Sequence, residues 1–201
     1  MKKVKICLLA TVLLFMMTLN GAFADAKQLE FGMTKEEVVT IMGKGSDVLN
    51  KQFESNYDIL AYPGQKVSKY TDAILVLYFD DGKLASKMYS FEEESTLRTE
   101  NKYGYLLNAL TGKYGEPEAE ADIKLLCNFF EMFSGKKVKE DTADLLIKTH
   151  YAVIKTWTIN DDTTILLVNV INTNADGALT AIQYTPKNIT MAETTYNDDG
   201  L

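Results

Sequence analysis

Apolar and polar positions along the 201-residue chain change period several times, and each change marks an element. Thr34-Lys35-Glu36-Glu37 is a capping box, in which the Thr hydroxyl accepts from the amide three residues on and the Glu carboxylate reaches back. Glu36 and Glu37 also suit the positive end of a helix dipole. Val38, Ile41 and Met42 follow at i, i+3 and i+4, and Gly43 and Gly45 supply a stop, so the spacing predicts a helix over 34–43. Residues 57–62 read as a strand ending at the Pro63-Gly64 turn signal, with a polar loop to Asp72. The run 73–79 is apolar on both faces and predicts a central strand covered on each side. Asp80-Asp81-Gly82-Lys83 is a hairpin turn, and 84–91 returns as the partner strand.

Glu92-Glu93-Glu94 opens a polar link, after which Tyr103, Leu106, Leu107, Leu110 and Tyr114 keep helical spacing up to Gly115. Pro117 stands where a first-turn proline opens a further helix. In that helix Ile123, Leu126, Cys127 and Phe130 form a stripe that Leu125, Phe129 and Phe133 widen, and so broad an apolar surface is expected to be buried, in the core or against a partner. A charged loop over 136–142 precedes three strands, 151–159, 163–171 and 178–185, separated by turn formers. The order α-β-β-β then α-α-β-β-β predicts an α+β fold. Its two tandem units of helix plus three-stranded antiparallel sheet span 25–95 and 96–186, with a loose polar tail over 187–201.

Ahead of these units, Lys2, Lys3 and Lys5 precede an apolar run over 6–19, and Ala22-Phe23-Ala24 provides an A-x-A cleavage site. Residues 1–24 are therefore expected to be a signal peptide. The run is too short to span a bilayer, so no transmembrane helix is expected after cleavage. Cys7 sits at the start of the run and no cysteine lies near Ala24, so a lipoprotein anchor is not expected. Export leads to the periplasm or to secretion. Only Cys127 then remains, which leaves no partner for an intrachain disulfide.

Taking the three signal lysines from the 21 basic residues leaves 18 against 28 acidic ones, about −10 in formal charge. That balance argues against nucleic acid and anionic lipid as partners. Candidate chemistry is thin. His150 is the sole histidine, and with Cys127 it is too small a set for zinc. A thiol on an apolar helical face is inert, which argues against a Cys-His nucleophile. Asn172, Asn174, Asp176 and Gly177 mimic the opening of a calcium loop, yet the twelfth position is Gln183 and strands flank it, so a hairpin turn is the better account. No G-x-S-x-G, H-E-x-x-H or P-loop occurs, and neither a catalytic residue nor a cofactor is expected. Tyr62, Tyr78, Tyr89 and Trp157 lie on predicted strands. They either pack the sheet or, facing outward, form a surface that stacks on a peptide or glycan.

Residues 29–91 resemble the SmpA/OmlA (BamE-like) module of bacterial envelope proteins. The likeness rests on Gly32-Met33-Thr34 after Phe31, the pair Glu37-Val38, the Met42-Gly43 helix end, the 59–62 strand and the hairpin around Asp81-Gly82. The resemblance implies a small helical layer on an antiparallel sheet and a non-enzymatic accessory role in outer-membrane protein assembly. Those positions shape the backbone, and no binding residue carries over. The doubled unit is similar to the beta-lactamase-inhibitor-protein fold. The expectation is an exported, non-enzymatic envelope protein acting by contacts with another protein or peptide, through its sheet face or a strand edge. Two competing readings are a small-ligand or cell-wall glycan binder using the strand aromatics and a carboxylate-based hydrolase.

Overall fold

The Thr34 hydroxyl accepts from the Glu37 amide at 3.3 Å, and the Glu37 carboxylate accepts from the Thr34 amide at 2.8 Å. The expected capping box is formed, and it opens helix α1 (Lys35–Met42). The helix ends where the Gly43 amide donates to the Val39 carbonyl at 2.8 Å. This computed structural model describes residues 28–46, 58–93, 96–118, 122–134, 137–159, 162–172 and 177–186. The signal segment and the 187–201 tail lie outside the described residues.

Strands β1 (Asp58–Val67), β2 (Tyr70–Asp80) and β3 (Lys83–Glu93) follow α1. Then come α2 (Thr96–Tyr114), α3 (Ile123–Ser134) and α4 (Glu140–Lys148), and after them β4 (Ala152–Ile159), β5 (Thr163–Asn172) and β6 (Gly177–Pro186). The six strands make one antiparallel sheet in the order β1-β2-β3-β6-β5-β4. The α+β class expected from the sequence is therefore present. Two three-stranded meanders meet last strand to last strand, with Lys87 opposite Tyr184 and Tyr89 opposite Ile182.

Alternation across this sheet assigns its two faces. One face carries the row Leu60, Leu77, Lys87, Tyr184, Ile165 and Trp157 from β1 across to β4. Helix α1 covers its β1–β2 side through Val38 and Met42, and α2 covers its β4–β6 side through Leu106 and Leu110. The opposite face carries the row Ala61, Val76, Met88, Gln183, Leu166 and Thr156. Helix α3 packs there with Leu126, Phe129 and Met132, joined by Ala143 of α4. That cluster includes side chains from both meanders, so the two halves share a core.

Four local expectations are corrected. Strand β1 does not end at Pro63-Gly64. Its pairing with β2 shifts register between Tyr62 and Gln65, and Gly64 takes φ +69 in the bulge. The loop expected up to Asp72 is instead a tight turn at Ser68-Lys69 with β2 beginning at Tyr70. Pro117 does not open a helix; the Asp122 carboxylate accepts from the Leu125 amide at 3.1 Å, so the cap lies five residues later. The charged segment after 136 becomes helix α4 from Glu140, with Glu140 and Asp141 in its first turn and Lys148 in its last.

Candidate interaction surface

The four strand aromatics do not share an outward surface. Tyr62 lies under α1 and donates from its hydroxyl to the Gly43 carbonyl at 2.9 Å, and burial pushes its pKa up to about 12. Tyr78 is fully buried on the α3 face, and burial drives its pKa far above the usual phenol range. Trp157 is buried under α2, its indole N–H donating to the Gly115 carbonyl at 2.9 Å. Only Tyr89 is partly exposed. It packs against both the α1 cluster and the α2 cluster, and so marks the junction between the two helices' territories.

Around that junction stand residues that sequence reasoning passed over. The Tyr184 ring meets Tyr89 edge-on, with centroids 6.4 Å apart and planes at 85°. Tyr89, Tyr114 and Tyr184 pack against the same cluster, and burial, with smaller contributions from the Tyr114 and Tyr89 hydroxyls, raises the Tyr184 pKa. Lys87, directly opposite Tyr184, donates from Nζ to the Leu29 carbonyl at 3.0 Å and sits 4.5 Å from the Phe31 ring centroid. Burial lowers the Lys87 pKa, an effect that Glu30 partly opposes. Phe31, Lys87, Tyr89, Tyr114 and Tyr184 are all partly exposed. The legible signal was Lys87 and Tyr89 two residues apart on one strand, hence on one face.

A second aromatic-cation group lies where the β1–β2 turn meets α2. Lys69 Nζ sits 3.8 Å from the centroid of Tyr105, whose hydroxyl is 2.9 Å from Ser68 Oγ. Tyr70 meets Tyr105 and Phe91 edge-on, and Lys102 lies over Tyr70 and Phe91 while bonding Asp72 at 2.9 Å. This group fastens α2 to the first meander.

Both sheet edges are partly covered by the chain itself. The Ser46 amide donates to the Ala61 carbonyl on β1 at 2.8 Å, and a β-carbon on the neighbouring Gly45 would come within 3.2 Å of that carbonyl, a tight approach that glycine avoids. On β4 the Glu118 amide donates to the Thr156 carbonyl at 2.8 Å, and the Glu118 carboxylate accepts from Thr158 at 2.8 Å. Such covering blunts edge-to-edge pairing.

The surface at the α1–α2 junction offers ring faces, phenol hydroxyls and one half-buried ammonium. Such groups can stack on a ligand and exchange hydrogen bonds with it. Burial, and secondarily Glu140, raise the Cys127 thiol pKa, the opposite of activation. His150 is exposed in the turn after α4 with φ +62. Among the described residues no group of three or more His, Cys, Asp or Glu could hold a metal ion, and no helix is long and apolar enough to cross a membrane. No protein-family model, curated protein or solved structure matches the chain.

Proposed function

We propose that this is an exported, non-enzymatic envelope protein that acts by binding another protein or peptide, as an accessory or assembly factor, in the periplasm or outside the cell. The observation that carries the reading is the partly exposed group Phe31, Lys87, Tyr89, Tyr114 and Tyr184 at the α1–α2 junction. Tyrosine and phenylalanine side chains gathered at one place and only partly exposed are the composition of interface cores and binding hot spots. The signal-like segment 1–24 and the acidic mature charge support export and a partner other than nucleic acid. The meeting of two helix-led meanders at β3 and β6 supports reading the chain as tandem BamE-like units with a beta-lactamase-inhibitor-protein-like arrangement.

A second reading, a small-ligand or wall-glycan binder, is favoured by the same phenols, since tyrosine rings and hydroxyls also suit sugars. A photocrosslinking residue placed at Tyr184 in the exported chain separates the two. Crosslinks to a discrete protein, absent when the residue sits at Tyr151, an exposed position just before β4, support the first reading. Co-sedimentation with purified cell wall and no protein adduct supports the second.

A further inference from the structure

On the α3 face the sheet is polar where its two halves meet. Ser86, Ser90 and Gln183 are each less than a tenth exposed there. Gln183 Nε2 lies 3.2 Å from each of Ser86 Oγ, Thr185 Oγ1 and Met132 Sδ, the last belonging to α3. An amide nitrogen has two hydrogens for these three neighbours, and a thioether sulfur is a weak acceptor. At the other end of the amide, Gln183 Oε1 has no hydrogen-bond partner among the described residues. Ser90 Oγ, one position further along this face from Met88, has none either. Turning the amide over only exchanges which of its atoms is left over. Buried polar atoms without partners favour any state that hydrates them.

The cover above these atoms is apolar, with Leu126, Phe129 and Met132 fully buried. On the opposite face α2 is tied down by the Lys102–Asp72 pair and by the bond between Tyr105 and Ser68. Helices α3 and α4 follow one another in sequence and pack into one cluster, and neither contributes to a strand ladder. They can therefore leave together without breaking any strand pairing.

We propose that α3 and α4 form a cover that swings off the sheet as one unit, hydrating Ser90 and Gln183 while the six strands and α2 stay folded. This device is independent of the contact surface proposed above, which lies on the other face.

Hydrogen exchange of the mature chain, read by mass spectrometry, tests it. The amides of α3 and α4 are expected to exchange together, roughly 100-fold or more faster than those of β2, β3 and β6. Protection of α3 equal to that of β3, or different rates for α3 and α4, would overturn the proposal. Ser90→Ala removes an orphaned hydroxyl and is expected to slow α3–α4 exchange about threefold to tenfold; unchanged or faster exchange counts against the cover. A third arm joins Met132→Cys to Gln183→Cys with a short thiol crosslinker in a Cys127→Ala background, with Trp157 emission as the folding check. Exchange in α3 and α4 should then fall to the level of the sheet with α2 unaffected. Persistent fast exchange in the crosslinked, folded protein would refute the swing.

Discussion

Lys102 and Asp72 form an unequal ion pair: 2.9 Å separates them, yet the lysine side chain is 5% exposed and the aspartate 57%. Tyr70 and Phe91 hold the ammonium between their rings, at 4.8 and 4.7 Å from the centroids. The pair links α2 to β2 and so crosses between the two helix-led meanders. Asp72→Ala removes the carboxylate that pairs with a buried cation and is expected to cost on the order of 1–3 kcal/mol. Lys102→Met replaces the charge with an apolar chain of similar length and should cost less than half as much. Urea unfolding followed by Trp157 emission measures both, and equal losses would show that the burial of the charge is unimportant.

Trp157 is the chain's single tryptophan, and its indole N–H is committed to the Gly115 carbonyl just beyond α2. Trp157→Phe keeps most of the packing and leaves that carbonyl unpaired, for an expected loss of about 1–3 kcal/mol. Urea unfolding followed by far-UV circular dichroism reads the change. A loss below a few tenths would mean that water replaces the indole.

Among the described residues four tyrosines are held neutral by burial. Burial raises Tyr62 and Tyr103 to about 12, and raises Tyr78 and Tyr184 as well. A raised folded pKa contributes stability that is whole below the unfolded value near 10 and is lost as pH climbs from 10 through 12. Lys87 works the other way, its lowered pKa adding stability as pH rises toward 10.5, but it is one group against four. The urea midpoint should therefore fall steadily above pH 10. In an absorbance titration Tyr62, Tyr78, Tyr103 and Tyr184 should ionise only as circular dichroism is lost. Complete tyrosine ionisation with the spectrum intact would contradict this.

The Thr34 capping box was readable because its bonds are local: Thr34 and Glu37 are three residues apart and need no tertiary partner. Thr34→Ala should cost about 1 kcal/mol in the same urea assay. The Asp81-Gly82 hairpin was legible for the same reason, both residues taking positive φ. Pro63-Gly64 misled because a bulge uses the same residues as a turn, and only the pairing with β2 tells them apart. Helix α4 was missed because its short apolar set, Ala143, Leu146 and Ile147, follows a dense run of charge. The aromatic surface was the least legible part. Tyr62 and Trp157 lie under different helices on one face and Tyr78 on the other, and strands apolar on both sides conceal which face water reaches. Tyr114 and Tyr184 join Tyr89 only once β6 is laid against β3 and the end of α2 is brought over the seam.

The central proposal, that the Tyr89–Tyr184 junction is where this protein meets its partner, is tested most directly by quantitative affinity capture from envelope extract. The wild-type mature chain is compared with the Tyr89→Ala/Tyr184→Ala variant, after Trp157 emission has shown the variant to be folded. The expected result is a discrete protein enriched by the wild type and reduced about tenfold or more by the variant, the loss that follows from truncating hot-spot aromatics. Undiminished capture by the folded variant would place the contact elsewhere and contradict the account.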